Sequence, residues 1–176
     1  MEVWRASAEG LNTVIVNPGL IIGSGNWKES SGTLFMEFEK NDYTFSGGTS
    51  YVDVRDVAQI SIELMEKNIF GERFILVSES AKYEEIGNLI RQKLGKSPMK
   101  LLPNVVLKVG FYLNLLFGWL FSPLKMANKV NIKSVTEFNK ISNKKIKEKL
   151  NYQFIPLEES LAFHLENYIK RKEVGS

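Results

Sequence analysis

The chain has 176 residues, of which 44% are hydrophobic and 24% charged, and its formal net charge at pH 7 is +3. These values are typical of one soluble globular domain with a sizeable core. The chain has no cysteine, which excludes disulfides, zinc–thiolate sites and a cysteine nucleophile. The basic excess lies mainly in 125–149, where eight lysines face two glutamates. No motif that reads nucleic acid accompanies this run, so we interpret it as a solvated face and expect no nucleic-acid partner.

The first ten residues lack the basic-then-apolar order of a signal peptide. Val3, Trp4 and Ala8 lie on related turns of a helix, and Gly10 is suited to end that helix. We therefore expect the last turns of a helix here, and a longer protein in which something precedes Met1.

Residues 13–27, TVIVNPGLIIGSGNW, form the most informative stretch. The uninterrupted apolar run at 14–16 predicts a central strand of a parallel sheet, covered on both faces. Pro18 ends this strand because it has no N–H to donate. The small or polar residues that follow leave the strand at the edge where parallel sheets bind ligands. The alternative is a glycine-rich connection chosen for turn geometry alone.

Helices and strands alternate along the next part of the chain. The predicted elements are helices at 33–40, 54–67 and 83–94 and a buried strand at 73–77. Residues 43–45 and 50–54, on either side of Gly47-Gly48, are predicted to form a small hairpin. Alternation with short links indicates an α/β fold with a parallel sheet, in which only two central strands are evident.

Three polar residues are candidates for chemistry. Asp53 and Asp56 could form an acid/base pair, but capping and first-turn positions of the helix at 54–67 explain both. His164 is the only histidine, and it lies on the packed side of a terminal helix. Because no second histidine or carboxylate cluster is near it in sequence, we expect a packing or interface role and neither a metal site nor a Ser–His–Asp triad.

The segment 104–124 is strongly apolar, and its length approaches that of a membrane span. Lysine, asparagine, glycine and proline interrupt it. It is predicted to be a helical lid or a dimer face, with contact to a membrane surface or a true span as alternatives. Beyond it, the sequence predicts a lysine-rich helix capped by Ser142 and a terminal helix after Pro156, with Leu157, Leu161, Leu165 and Tyr168 on its packed face.

Four segments together resemble the carboxyl-terminal portion of the extended short-chain dehydrogenase/reductases, the NAD(P)-dependent epimerase/dehydratase family, and most nearly its dihydroflavonol-reductase-like group. They are TVIVNPGLIIGSGNW, SYVDVRDVAQISIELME, GERFILVSE and ISNKKIKEKLNYQFIPLEESLAFHLENYIKRK. The resemblance implies the last part of a Rossmann-like parallel sheet at 1–95 and a mainly helical substrate-binding part at 96–176, within one partial domain. It also implies a cytoplasmic protein, with membrane association as a further possibility.

The resemblance assigns residues to a cofactor and substrate site. The residues that would contact the nicotinamide of NAD or NADP are Pro18, Gly19, Leu20 and Ile21. The residues that would face the substrate are Asn17, Asn26, Trp27, Tyr51 and Val52. The substrate would be a small carbonyl or hydroxyl compound or a nucleotide sugar.

Two parts of the family's machinery lack a counterpart in this sequence. The glycine-rich dinucleotide motif is absent, because Gly23 and Gly25 are followed by lysine at position 28. The family's acid/base Tyr-x-x-x-Lys would precede the strand at 14–16, and the match at Tyr168 and Lys172 lies in a packed terminal helix, so we interpret it as coincidence. We therefore expect a truncated oxidoreductase that is inactive alone, without catalytic residues or a metal. The alternative is a non-catalytic binding or scaffold module that pairs with a partner chain or a membrane surface through 104–124.

Overall fold

The computed structural model describes residues 2–25, 27, 32–117, 119 and 127–174. The chain forms two compact units, each assembled from separate segments. The first comprises Met1–Gly32, Ser50–Ser80 and Lys140–Ser176, and the second comprises Thr33–Thr49 and Ala81–Asn139.

Helices and short strands alternate along the described residues. The strands are β1 (Ile15–Pro18), β2 (Leu20–Ile22), β3 (Tyr43–Thr44), β4 (Gly48–Asp53), β5 (Arg73–Leu76), β6 (Glu79–Lys82) and β7 (Lys100–Leu101). The helices are α1 (Glu2–Ala8), α2 (Thr33–Lys40), α3 (Val54–Glu66), α4 (Tyr83–Lys93), α5 (Asn104–Phe117), α6 (Lys129–Thr136), α7 (Lys144–Leu150) and α8 (Leu157–Val174). The fold class is α/β, as the sequence predicts.

The two central strands of the sequence prediction pair with each other. β1 runs parallel to β5, with Asn17 opposite Ile75 and Pro18 opposite Leu76. β1 ends at Pro18, as expected for a residue without an N–H. The prediction that both strands are covered on both faces is wrong, because residues 14–16 are only partly buried and Ile75 is 42% exposed. Only one face of this pair packs into the core of the first unit, through Phe74 and Leu76.

The predicted hairpin around Gly47-Gly48 does not form. β3 pairs in parallel with β7, and β4 pairs in parallel with β2, with β6 next in the order β2-β4-β6. The amides of Gly47 and Gly48 instead donate to the carbonyls of Val135 and Glu137, at 3.0 and 3.1 Å. A Cβ at Gly47 would collide with these same two carbonyl oxygens. The two glycines therefore permit a close approach of backbone rather than a tight turn.

The core of the first unit joins α3, α7 and the β1–β5 pair. Its fully or nearly buried members are Val52, Ile60, Leu64, Phe74, Leu76, Ile146 and Leu150. The sequence also places Met65 on the packed face of α3, but Met65 is 60% exposed. Position 65 follows Leu64 by about 100° around the helix, which turns its side chain away from the core.

The terminal helix α8 packs as its periodicity predicts. Leu157, Leu161, Leu165 and Tyr168 are all buried, and so is His164 at 1% exposure. In α7, Ile146 and Leu150 are buried as expected. These contacts pack α7 and α8 into the first unit.

Helix α5 is the most exposed apolar element of the second unit. Val105, Leu115 and Leu116 are each more than 60% exposed, and Trp119 beyond the helix is 80% exposed. Among the helices that the structure describes, none has the length and apolar character needed to cross a bilayer. The rest of the segment 104–124, namely residue 118 and residues 120–124, lies outside the described residues.

Candidate functional site

The carboxyl end of β1 leads into β2 through a single glycine. The Gly19 amide donates to the carbonyl of Leu76 at 2.9 Å, which continues the β1–β5 ladder by one residue. A Cβ at position 19 would collide with the backbone carbonyl of Ser50. Glycine is therefore required here so that the chain can pass from β1 into β2, the strand that pairs with β4.

The structure brings the predicted nicotinamide residues and the predicted substrate residues side by side. In the parallel pairing of β2 and β4, Leu20 lies opposite Tyr51 and Ile21 lies opposite Val52. Leu20 and Ile21 are partly exposed, whereas Tyr51 and Val52 are 0% and 1% exposed. Successive strand residues point to opposite faces, and Ile21 packs against the core of the first unit. Leu20, beside Gly19, is therefore the side chain that fits one flat wall of a nicotinamide site, since such a ring needs a close, apolar surface.

The other predicted site residues lie apart from this register. Asn17 and Pro18 are exposed at the end of β1. Trp27 is buried against α8, and its ring lies 5.3 Å from that of Tyr168. Asn26 lies outside the described residues. The roles of all nine predicted residues remain predictions.

A buried hydrogen-bond network centred on Asp53 lies one residue further along this strand pair, where Asp53 is opposite Ile22. Asp53 follows Val52 at the end of β4 and caps α3 by accepting from the Arg55 amide at 2.8 Å, as predicted. The Arg55 guanidinium donates to both carboxylate oxygens, at 2.9 and 2.7 Å. From α8, Ser160 Oγ lies 2.6 Å and His164 Nε2 lies 3.2 Å from Asp53 Oδ2. Five hydrogen bonds thus hold one carboxylate that is 1% exposed.

This environment keeps Asp53 ionised. Burial alone would raise the pKa of Asp53, but the hydrogen bonds from Arg55, His164 and Ser160 outweigh it and bring the pKa well below its usual range. The same ion pair raises the pKa of Arg55. The network therefore contains a fixed negative charge at every physiological pH.

Asp56 has a different environment one turn further along α3. It accepts from Tyr152 Oη at 2.9 Å and from the Ile155 amide at 3.1 Å. Burial raises the pKa of Asp56, and burial together with the bond to Asp56 raises the pKa of Tyr152. Asp56 anchors the segment between α7 and α8, and this contact, rather than acid/base chemistry with Asp53, accounts for its position.

Sequence reasoning missed the network that His164 makes. Its Nδ1 lies 2.9 Å from Ser24 Oγ, and its Nε2 faces Asp53. The three residues are far apart in the sequence, so no local spacing signals the contact. The available signal was indirect, because a histidine on a packed helix face needs buried polar partners. Within the described residues, no group of three His, Asp or Glu side chains could hold a metal ion.

No family model matches the chain. Among curated proteins, the Sterol demethylase protein B of Methylococcus capsulatus is 27% identical over 97 residues, which are 53% of this chain and 30% of that protein.

Solved structures resemble nearly the whole of this chain. A nucleoside-diphosphate-sugar epimerase from Pseudomonas aeruginosa has a TM-score of 0.69 at 14% identity, over 97% of this chain and 52% of the epimerase. This chain has the fold of the extended short-chain dehydrogenase/reductases. The dTDP-glucose 4,6-dehydratase of Bacillus anthracis, in complex with NAD, gives 0.62 at 12% identity, over 91% of this chain and 45% of the dehydratase. A human epimerase family protein with NADPH gives 0.61 at 19% identity, over 93% and 53% of the two chains.

The similarity to extended short-chain dehydrogenase/reductases covers about half of each solved structure. The expected resemblance to a carboxyl-terminal portion of such proteins is thereby confirmed for the fold. The neighbours solved with NAD and NADPH bind nicotinamide cofactors.

Proposed function

We propose that this chain supplies the nicotinamide-side wall and part of the substrate pocket of an NAD(P)-dependent oxidoreductase of the epimerase/dehydratase type. The observation that carries the proposal is the register of β2 and β4, in which Leu20 and Ile21 lie directly opposite Tyr51 and Val52. Two residues that the resemblance assigns to the cofactor and two that it assigns to the substrate thus share one strand pair. The nicotinamide would accept or donate hydride, and the protein would align it.

The proposed roles follow from exposure and chemistry. Leu20 presents apolar surface, which would exclude water from one face of the nicotinamide ring. Ile21 points to the other face of the strand and packs against the core, so it would contact the ring through its backbone. Gly19 would contact the ring through its backbone, and its missing side chain is what lets the chain pass the Ser50 carbonyl. Asn17, exposed at the strand end, offers an amide to the polar groups where cofactor and substrate meet. Trp27 and Asn26 are proposed for the substrate side of the same junction.

We further propose that the chain alone does not turn over NAD(P)H. Its sequence has neither the glycine-rich dinucleotide motif nor a Tyr-x-x-x-Lys in the expected place. Tyr168, which begins the one match, is 7% exposed on the packed face of α8. The proton transfer that accompanies hydride transfer would therefore need groups that this chain does not supply.

The proposed substrate carries a hydroxyl or carbonyl group. Two classes are supported by similarity: the Pseudomonas neighbour acts on nucleoside-diphosphate sugars, and the curated relative is named for sterol demethylation. Titrating the chain with a nucleoside-diphosphate sugar and, separately, with a sterol in detergent separates these two classes. Saturation-transfer NMR shows which of the two ligands binds, because only a binding ligand receives magnetisation from the protein.

Cofactor contact is tested by the same NMR method on the purified chain with NADPH and NADH. We expect the nicotinamide protons to be saturated more strongly than the adenine protons, since only the nicotinamide side is proposed to be present. Replacing the exposed Pro18 by glutamate should abolish this signal. The matched control is Pro103→Glu, at a second exposed proline, which should leave it unchanged. Saturation of adenine alone, or none at all, would contradict the proposal.

A second candidate function is a scaffold module that docks through 104–124 on a membrane surface or a partner chain. The favouring observation is the exposure of Val105, Leu115 and Trp119. Between residues 94 and 139 the sequence has six lysines and one acidic residue, which suits an anionic surface. Co-sedimentation with anionic vesicles and size-exclusion chromatography distinguish the two modes, with Leu115→Ser as the variant and Ile62→Ser, another exposed apolar position, as its control.

A further inference from the structure

Ser24, His164 and Asp53 form a continuous chain of hydrogen bonds in the first unit. Ser24 Oγ lies 2.9 Å from His164 Nδ1, and His164 Nε2 lies 3.2 Å from Asp53 Oδ2. This is the order of groups in which a histidine acts as base toward a serine while a carboxylate orients the ring. The proposed nicotinamide function uses none of the three residues.

The Asp53 carboxylate determines which ring nitrogen of a neutral His164 donates a hydrogen bond and which accepts one. An ionised Asp53 can only accept hydrogen bonds, so His164 Nε2 carries a proton and donates it. In the neutral ring Nδ1 is then an acceptor, and the Ser24 hydroxyl donates to it. The serine proton therefore points at the base that would remove it.

Asp53 is itself held in place. Ser160 Oγ donates to Oδ2 at 2.6 Å, and Arg55 donates to both oxygens. The Arg55 guanidinium also lies over the Phe163 ring, 4.2 Å from its centre. Since these contacts come from α3 and α8, the carboxylate cannot turn away from His164 without breaking several bonds.

Ser24, in contrast, is accessible. It is exposed, lies between Gly23 and Gly25, and no atom of the described residues lies within 4 Å of where a Gly25 side chain would begin. Asn167 Nδ2 donates to Ser24 Oγ at 3.1 Å. This bond uses one of the two lone pairs of the hydroxyl oxygen, and the second remains for attack. Asn167 also has a second N–H that can be directed at a developing oxyanion.

We propose that Ser24 is a nucleophilic serine, activated by His164 and oriented through Asp53, that accepts a small acyl group from an activated ester. Ser24 Oγ bonds to the carbonyl carbon while its proton passes to His164 Nδ1. The carbon–oxygen bond to the alcohol breaks, and the departing alkoxide takes that proton. Water then attacks the acyl carbon and gives one proton to His164 Nδ1. The bond between the acyl carbon and Ser24 Oγ breaks, the acid is released, and the proton returns from His164 to Ser24 Oγ.

A fluorophosphonate probe tests the proposal on the intact chain. Ser24 Oγ would bond to phosphorus, the P–F bond would break with loss of fluoride, and the serine proton would pass to His164. The rate of labelling is measured at each serine by peptide mass spectrometry. General-base assistance is worth about 10²–10⁴-fold in rate, so we expect Ser24 to react at least about 100 times faster than Ser142. Ser142 is an exposed serine in the same molecule, and it shows the reactivity of an unassisted hydroxyl.

Two variants complete the test. Ser24→Ala should abolish the fast labelling, and His164→Gln should reduce labelling of Ser24 to the Ser142 rate, with folding checked by circular dichroism. Because the comparison of Ser24 with Ser142 is made within the folded wild-type chain, it stands even if His164→Gln unfolds. Equal rates at Ser24 and Ser142, or fast labelling of Ser24 in a folded His164→Gln chain, would overturn the proposal. The probe contains no nicotinamide, so this result is independent of the NADPH measurement.

Discussion

Leu20 lies directly opposite Tyr51 in the parallel pairing of β2 with β4. The pairing depends on Gly19, where the chain leaves β1 and passes the Ser50 carbonyl. The geometry of the proposed nicotinamide wall is therefore set by backbone contacts rather than by side-chain packing alone.

Gly19→Ala tests this dependence. The added methyl would collide with the Ser50 backbone, so we expect a loss of about 1–3 kcal/mol in the free energy of unfolding, measured by urea denaturation. Gly110→Ala is the matched control, because among the described residues a Cβ at Gly110 would meet only the Ala127 methyl, at 3.4 Å. That helical substitution should be neutral or stabilise by about 0.5–1 kcal/mol. Equal effects of the two changes would contradict the close approach at Gly19.

Asp53→Asn should destabilise the chain by about 3–5 kcal/mol at neutral pH, since the buried partners lose their negative charge. The pKa of Asp53 is lowered in the folded chain, so its ionised form stabilises the fold above the unfolded pKa of about 3.9. This contribution should be lost as the pH falls below about 4. The difference in unfolding free energy between the wild type and Asp53→Asn should therefore shrink in acid.

The matched control for Asp53→Asn is Glu63→Gln, which removes a partner of the surface pair with Lys67. Its cost should be about 0.3–0.5 kcal/mol, measured in the same urea titrations. A similar cost for both variants would mean that the Asp53 network contributes little.

Tyr152→Phe should raise the pKa of Asp56 further, because the carboxylate loses the hydroxyl that donates to it. Burial already raises that pKa. We expect a loss of about 1–3 kcal/mol at pH 7 that becomes smaller as the pH falls and Asp56 is protonated. The cost of Tyr152→Phe is measured by urea unfolding at pH 7 and at about pH 4.5, which is close to the ordinary pKa of a carboxyl group. Tyr43→Phe, at a tyrosine that is 53% exposed, should show no such pH dependence.

Leu64→Ala should cost about 2–5 kcal/mol, since Leu64 is fully buried in the core of the first unit. Met65→Ala, one residue away and 60% exposed, should change stability by less than about 0.5 kcal/mol. Thermal unfolding measures both changes in stability. A large loss for Met65→Ala would instead place Met65 on the packed face of α3.

Local pattern was sufficient to predict most of the elements. The helix predicted at 33–40 matches α2, and those predicted at 54–67 and 83–94 match α3 and α4 to within one residue at either end. Capping and periodicity act within one or two turns, so a single sequence contains their signal. The strand pair of β1 and β5 also followed from its apolar runs.

Local pattern could not predict the contacts between residues that are far apart in the sequence. Gly47 and Gly48 resemble a hairpin turn in sequence, but their amides bond to Val135 and Glu137, nearly 90 residues away. His164 was assigned to packing, and it is buried, yet its polar partners come from Ser24 and Asp53. Only the folded chain brings such residues together, because each contact joins separate elements.

Through the network around Asp53, α8 supports residues that lie far from it in the sequence. Ser160, His164 and Asn167 all reach from this helix to Asp53 or Ser24. A deletion or frameshift that removes residues after Pro156 would leave the buried Asp53 carboxylate with the hydrogen bonds from Arg55 but without those from Ser160 and His164. The loss would reach the turn at Ser24, more than 130 positions earlier in the chain. Tags and fusions placed at the carboxyl terminus should therefore follow a linker that leaves the last turns of α8 undisturbed.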